Sequence, residues 1–216
     1  MVDLIRGLDP GRVRGALDEV RERVGDGVEI VVATKYVPVE ELSRLREAGI
    51  TTLGENRAQD LRAKHEAHPG FAYEFIGHLQ SRKVRQVAPL VRRIHSVASD
   101  SAAAQLARHG RADLELLVEV NIAGEAGKSG VTPGDLDGFL ERLRAAGGGE
   151  VAGLMTMPPL AANAEDSRRW FAALRGLAAD RGLRHLSMGT SQDFDVAAQE
   201  GATIVRIGGR ILSPCG

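Results

Sequence analysis

The sequence predicts an α/β protein in which eight parallel strands close into a single barrel. Along its 216 residues, short apolar segments rich in β-branched side chains alternate with amphipathic segments of helical spacing, at intervals of about 25 residues. No linker or change in composition divides the chain, and the turn after the first strand lacks the G-x-G-x-x-G motif of dinucleotide-binding sheets. These features favour one parallel (β/α)8 barrel of the TIM type over residues 1–216. An open, doubly wound sheet is the alternative, because periodicity alone does not show closure.

Hydrophobic spacing and turn residues place the individual elements. An extra N-terminal helix over 11–24 precedes the sheet, because apolar residues recur there at helical spacing. The strands are expected at residues 28–36, 51–54, 71–76, 93–97, 114–121, 151–157, 185–188 and 203–207. The helices between them are expected at 39–48, 56–65, 81–89, 101–109, from Thr132-Pro133 onward, 165–180 and 192–200. Ser99 or Asp100 is the candidate N-cap of the helix at 101–109.

Composition excludes several classes of function. A net charge of −1 gives no attraction to nucleic acid or acidic membranes, and aromatic residues at 4% are too few for a base-stacking surface. No metal-ligand cluster, G-x-S-x-G elbow or Walker-type phosphate loop is present. The first residues do not resemble a signal peptide, no apolar run is long enough to span a membrane, and the single cysteine, Cys215, excludes an internal disulfide. A cytoplasmic protein without nucleic-acid, membrane or metal partners is expected.

The first strand leads to Lys35, which is the strongest candidate for chemistry. Only four of the 28 basic residues are lysines, so arginine is the default surface cation of this chain. Lys64 and Lys83 lie among polar residues typical of an exposed helix surface, and Lys128 lies in a glycine-rich loop. At the carboxyl end of a barrel strand, a buried amine can form an imine with an aldehyde. The alternative is a solvent-facing residue that merely ends the strand.

Arg206 is the expected partner of Lys35. Alternation places Arg206 on one face of the eighth strand, and in a closed barrel this strand lies beside the first. If both side chains point inward, two cations flank one cavity and favour an anionic ligand.

The loops after strands seven and eight are expected to hold phosphate, as they often do in such barrels. Thr190 and Ser191 lie near a helix start, where hydroxyls and free N–H groups converge. Gly208 and Gly209 have no Cβ and allow a ligand to approach the backbone.

Other polar residues near strand ends are less specific. Asn56 and His78 either line the cavity or cap their loops, and Glu119 shares a strand face with Asn121. If that face is inward, Glu119 needs a cationic partner, because an unpaired buried carboxylate is costly. Met155 fits either the core or a ligand contact.

Several motifs occur in the order seen in a known family. They are Val32-Ala33-Thr34-Lys35, Gly54-Glu55-Asn56, Phe75-Ile76-Gly77-His78-Leu79-Gln80, Val120-Asn121-Ile122, Lys128-Ser129-Gly130, Gly153-Leu154-Met155-Thr156-Met157, Ser187-Met188-Gly189 with Ser191 and Asp193, and Val205-Arg206-Ile207-Gly208. From about residue 28 to the last strand, the chain thereby closely resembles the YggS/PROSC family of pyridoxal phosphate homeostasis proteins.

The resemblance implies a barrel similar to the N-terminal domain of alanine racemase, with pyridoxal 5'-phosphate (PLP) bound as a Schiff base on Lys35. It implies that Ser191, Gly208 and Gly209 hold the phosphate and that Arg206 faces the pyridine nitrogen. Asn56 and Met155 complete the expected cofactor contacts.

Three departures from the family pattern affect the phosphate side. Thr190 stands where methionine is usual, and Gly209 stands where threonine or serine is common, so one hydroxyl contact to phosphate is expected to be missing. Leu212-Ser213 replaces the usual Phe-Gly.

The residues favour holding PLP over turning over an amino acid, and no catalytic residue is assigned. An arginine at the pyridine nitrogen weakens the ring as an electron sink, and no second domain supplies an acid or base. The resemblance implies a carrier or regulator of PLP. Apo PLP-dependent enzymes are the expected protein partners, and a monomer is expected because no long exposed apolar helix indicates a dimer. The alternatives are a PLP-dependent enzyme of the alanine racemase type with weak activity, a cofactor-free Schiff-base aldolase, and a scaffold that binds no PLP.

Overall fold

A computed structural model describes residues 4–212, and Ser213 and Cys215 lie outside the described residues. Eight parallel strands form a closed barrel in sequence order, with the last strand paired to the first. This confirms the predicted barrel and excludes the open sheet. The strands are β1 (Glu29–Ala33), β2 (Thr52–Glu55), β3 (Ala72–Phe75), β4 (Arg93–Val97), β5 (Glu115–Glu119), β6 (Glu150–Met155), β7 (His185–Thr190) and β8 (Ile204–Ile207).

Helices cover the outside of the barrel. They are α1 (Pro10–Val24), α2 (Leu42–Glu47), α3 (Ala58–Ala67), α4 (Val84–Val87), α5 (Asp100–His109), α6 (Leu136–Ala146), α7 (Arg168–Ala179), α8 (Phe194–Gln199) and α9 (Gly209–Leu212). Short 3-10 turns at Val39–Glu41, Ser81–Lys83, Ala88–Leu90 and Ala164–Ser167 adjoin three of them. Ser99 caps α5 by accepting the N–H of Ala102, which confirms Ser99 over Asp100 as the N-cap. Within residues 4–212, no helix combines the length and apolar character that crossing a bilayer requires.

Several predicted boundaries are wrong by a few residues, and three of them bear on the arrangement of the loops. β1 stops at Ala33, so Lys35 follows the strand by two residues. β7 extends beyond Met188, because Thr190 still pairs with β8. α6 begins at Leu136 and not at Thr132-Pro133, because Thr132 and Asp135 first form a turn closed by side-chain hydrogen bonds.

The strands have two apolar faces. Outward side chains pack against the helices in one large cluster. Inward side chains form a small apolar layer, which consists of Val31, Leu117, Ala152, Met155 and Ile204. Gly54 makes room for this layer, because a Cβ there would come within 2.8 Å of Val31 and Ile76.

Ion pairs fill the amino-terminal end of the barrel. Arg93 is buried and contacts the carboxylates of Glu29, Glu74 and Glu115. Further out, Arg184 pairs with Glu115. Each of these buried or half-buried charges therefore has an opposite charge beside it.

Candidate functional site

Arg206 occupies the interior of the barrel near the carboxyl ends of the strands. It lies on β8 and is only 6% exposed, so the alternation of the strand places it inward as predicted. One terminal nitrogen, Nη1, donates to the Ser187 hydroxyl, while Nη2 contacts the Thr156 carbonyl oxygen and the Met157 sulfur, each at 2.9 Å. These contacts use three of the five N–H donors of a guanidinium. The other two donors have no partner among residues 4–212 and remain for a ligand.

No carboxylate among residues 4–212 forms an ion pair with Arg206. Burial lowers the pKa of Arg206 to about 10, against the opposing influence of the Asp193 and Glu119 carboxylates. The side chain therefore stays cationic at neutral pH. A buried, unpaired cation is costly, which is typical of a site that binds an acceptor or an anion.

A chain of buried polar side chains continues behind Arg206. The Ser187 oxygen lies 2.8 Å from His95 Nδ1, and His95 Nε2 lies 2.6 Å from Glu74 Oε2. The other oxygen of Glu74 accepts from Arg93 at 2.9 Å, which joins this chain to the ion pairs of the amino-terminal end. Sequence reasoning missed Glu74 and His95 as site neighbours. Alternation does place both on inward faces, but it does not give the stagger between strands that brings them together.

Lys35 is exposed, and the expectation of a buried lysine is wrong. Its Nζ lies over the Tyr36 ring, 4.5 Å from the centroid. The side chain lines an open groove of about 500 Å³ that also includes Arg57 and Asp60 but not Arg206. The two cations therefore do not share one cavity in this conformation. The reason is that β1 ends at Ala33, so Lys35 lies in a turn where alternation no longer fixes its direction.

Lys64 is the buried lysine of this end of the barrel, and its predicted exposure is wrong. It is 3% exposed, and its Nζ donates to Glu55 Oε1 at 2.5 Å and to the Thr34 carbonyl at 2.7 Å. Thr34 also donates its hydroxyl to Glu55. This cluster fixes the peptide that precedes Lys35. A signal was present in the sequence, because Ala58, Leu61 and Lys64 recur every three residues and form the buried face of α3.

The loops after β7 and β8 converge on Ser191. Its hydroxyl accepts the N–H groups of Gly208 at 3.3 Å and Arg210 at 3.5 Å, so its own O–H remains available to donate. A Cβ at Gly208 would come 3.2 Å from the Ala33 carbonyl oxygen, so glycine keeps this edge of the site open. Gly209 is exposed beside it. Thr190 is used elsewhere, because its N–H and hydroxyl both donate to Asp193.

Asn56 has a side-chain oxygen, Oδ1, that is buried without a hydrogen-bond partner among residues 4–212, which is costly in the free protein. Glu119 accepts from Ser129 at 2.6 Å, but its Oε2 is likewise unpartnered, and no cation pairs with it among residues 4–212. Asn121 holds its own loop by exchanging hydrogen bonds with the Glu125 backbone.

The remaining candidates are placed as follows. Met155 lies in the apolar layer inside the barrel, directly below the polar end, and His78 is exposed. No group of three or more His, Cys, Asp or Glu side chains within the described ranges is placed to hold a metal. The arrangement thus offers an amine, a fixed buried cation, and hydroxyl and backbone donors for an anion.

Comparison with known proteins identifies relatives of the whole barrel. The family model "Alanine racemase, N-terminal domain" matches residues 8–212. A pyridoxal phosphate homeostasis protein from Aquifex aeolicus is 38% identical, covering 91% of this chain and 92% of the relative. A protein of the same name from Deinococcus radiodurans is also 38% identical and covers 86% of this chain and 89% of its own length.

Solved structures agree with these matches. PipY of Synechococcus elongatus without PLP superimposes with a TM-score of 0.86 at 30% identity, covering 93% of this chain and all of that one. The same protein with PLP bound superimposes with a TM-score of 0.82 at 28% identity over 93% of this chain and 100% of that chain. Alanine racemase from Corynebacterium glutamicum, at 16% identity and a TM-score of 0.75 over 94% of this chain and 60% of that chain, shares the fold. The chain belongs to the family of pyridoxal phosphate homeostasis proteins.

Proposed function

We propose that this protein binds PLP as a Schiff base on Lys35 and acts in PLP homeostasis as a carrier or regulator. The relatives carry that name, and PipY has been solved with PLP bound. Within this chain, the observation that carries the proposal is Arg206, a buried cation with two free donors and no carboxylate partner among residues 4–212. PLP supplies an aldehyde for imine formation and an anionic phosphate.

The residues at the carboxyl ends of the strands fit this cofactor. β1 pairs with β8, and Val31 lies opposite Arg206, so Lys35 follows the strand beside the arginine. Ser191, Gly208 and Gly209 offer a hydroxyl and open backbone for the phosphate. The unpartnered Oδ1 of Asn56 and the apolar surface of Met155 provide the other contacts.

Lys35 reaches the site by rotating its own side chain. In the free protein its ammonium rests on the Tyr36 ring, and such a contact stabilises by only about 0.5–1 kcal/mol at an exposed site. The backbone before it is held by Lys64 through the Thr34 carbonyl, so the turn need not move. An exposed amine on a fixed turn is also accessible to incoming PLP and to an acceptor protein.

We propose that the bound PLP does not turn over amino acids. Tyr73 is withdrawn from acid–base chemistry, because its buried hydroxyl shares its one proton between two backbone carbonyls and burial raises its pKa to about 12. Tyr36, beneath Lys35, is the tyrosine left near the site. A cationic Arg206 opposes protonation of the pyridine nitrogen and so weakens the electron sink that racemases and decarboxylases require.

We infer a single PLP-binding domain over residues 1–216, a monomer in the cytoplasm, and apo PLP-dependent enzymes as the acceptors of PLP. The expected absence of nucleic-acid and membrane partners rests on the near-neutral charge of the chain.

The test is titration of the purified protein with PLP while the visible absorption of the Schiff base is recorded. The wild type and Lys128→Ala, which removes another exposed lysine, are expected to develop the band, whereas Lys35→Ala is not. An equal band in Lys35→Ala would show that Lys35 does not form the Schiff base. For turnover, the loaded protein is incubated with single L-amino acids and the optical rotation is followed. A sustained change in optical rotation that is lost in Tyr36→Phe would show that the protein is a racemase-type enzyme and not a carrier.

A further inference from the structure

The polar chain behind Arg206 is not used by the lysine chemistry proposed above. Its members come from four strands: Arg206 from β8, Ser187 from β7, His95 from β4 and Glu74 from β3. Ser187, His95 and Glu74 are completely buried. Apolar side chains fill the neighbouring layer, and they would fill this one without the cost of burying a carboxylate and an imidazole. Stability alone therefore does not explain why these polar side chains are buried here.

The arginines at its two ends determine the direction of every hydrogen bond. A guanidinium only donates, so the Ser187 oxygen accepts from Arg206. The one proton of Ser187 then goes to His95 Nδ1, at 2.8 Å, and the neutral imidazole carries its proton on Nε2, facing Glu74. Glu74 accepts from His95 on one oxygen and from both Arg93 and Arg92 on the other. Each hydrogen bond between Arg206 and Glu74 therefore has one allowed direction.

Resting on the proposed function, we propose that Ser187 and His95 are positioning residues that hold Arg206 in one orientation toward bound PLP, with Glu74 as their anchor. The guanidinium has two points of attachment. Nη2 contacts Thr156 and Met157, and Nη1 contacts Ser187. Without Ser187, only Nη2 is held, and the plane of the guanidinium can swing about that point. Its two free donors then lose their fixed direction.

The charges around His95 agree with this role. It is faced by Glu74 and by Arg206, Arg93, Arg92 and His185, and burial and then Arg206 keep its pKa well below the usual range, so it is neutral beside the arginine. Burial raises the pKa of Glu74 to about 7; Arg93 and His185 oppose the rise, the nearby Glu115 adds to it, and Arg92 also contacts the carboxylate. A protonated Glu74 would donate to His95 Nε2, the imidazole proton would move to Nδ1, and Ser187 would lose its acceptor. The hold on Arg206 is thus expected to weaken as the pH falls through 7.

The test measures PLP affinity by visible absorption between roughly pH 6 and pH 8 for wild type, Ser187→Ala and His95→Gln. Ser96→Ala is the matched control. Ser96 is a buried serine on β4, but its hydroxyl donates to the Gly77 carbonyl and takes no part in the hydrogen bonds between Arg206 and Glu74. Ser187→Ala is expected to bind PLP at least about tenfold more weakly and to lose the pH dependence near 7. His95→Gln is expected to lose the same pH dependence, and Ser96→Ala to keep both properties.

The outcomes separate the two proposals. If wild type forms no band, the proposed function fails. If wild type forms the band and Ser187→Ala binds PLP with unchanged affinity and an unchanged pH profile, the positioning role is wrong. Urea unfolding of each variant checks that the barrel is intact. Should Ser187→Ala not fold, the pH profile of His95→Gln decides by the same criterion, because a purely structural histidine would leave that profile in place.

Discussion

The two ends of the barrel use buried arginine in opposite ways. At the amino-terminal end, Arg93 contacts three carboxylates, whereas Arg206, buried to a similar degree at the other end, contacts none among residues 4–212. At the carboxyl ends of the strands, Asn56 Oδ1 and Glu119 Oε2 also lack hydrogen-bond partners among residues 4–212. One end satisfies its charges internally and contributes to stability. The other keeps donors and acceptors free, which costs stability in the free protein and is offset when a ligand binds.

Arg93→Met is expected to have the largest effect, because it leaves Glu74 buried and Glu29 and Glu115 without their shared cation. Removing one partner of a buried ion pair typically lowers the free energy of unfolding by about 3–5 kcal/mol. Urea denaturation measures this loss. Arg62→Met, at an exposed arginine of α3, is the control and is expected to change stability by less than about 0.5 kcal/mol. Equal stabilities for the two variants would contradict the assignment of the amino-terminal end to stability.

Lys64→Met tests the buried ion pair of Lys64 with Glu55 near the ligand end, and a loss of about 3 kcal/mol is expected. Burial already raises the pKa of Glu55, with Lys64 opposing the rise, so the variant raises it further. A folded-state pKa above the unfolded value gives stability that is lost as the pH rises. The deficit relative to wild type should therefore grow between about pH 5 and about pH 8 in urea denaturation. Adding Glu55→Gln should abolish this growth, and a deficit that is independent of pH would show that Glu55 is not the titrating group.

Arg206→Met sharpens the comparison, because the same kind of residue is removed from the other end. We expect the free energy of unfolding to change by less than about 1 kcal/mol or to rise, since a buried cation without a carboxylate partner is lost. PLP affinity should fall roughly tenfold to a hundredfold, as for loss of a hydrogen bond from a charged group. Calorimetric titration with PLP and urea unfolding give the two quantities. A stability loss as large as that of Arg93→Met would make Arg206 structural.

Ser191→Ala should have the smallest effect. It removes one hydroxyl that accepts two backbone N–H groups and is free to donate to phosphate. A several-fold loss of PLP affinity is expected, corresponding to about 0.5–1.5 kcal/mol, with pyridoxal lacking the phosphate bound equally by both proteins. The comparison of PLP with pyridoxal isolates the phosphate. An equal loss for both ligands would place Ser191 away from the phosphate.

The sequence predicts the barrel and the inward Arg206 because both depend on patterns that repeat along one strand or helix. Lys35 was expected to be buried, but it follows the end of β1 in a turn, where no periodicity applies. Lys64 was expected to be exposed because its neighbours are polar, although the three-residue spacing of the buried face of α3 includes it. The chain from Ser187 to Glu74 depends on the stagger of three strands around the barrel, which a single sequence does not contain.

The central claim is that Lys35, and no other lysine, carries PLP. Its most direct test is borohydride reduction of the PLP-loaded wild type, followed by peptide mass mapping of all four lysines. We predict one stable adduct, on Lys35, and none in Lys35→Ala. An adduct on Lys64, Lys83 or Lys128 at comparable yield, or no adduct at all, would contradict the account.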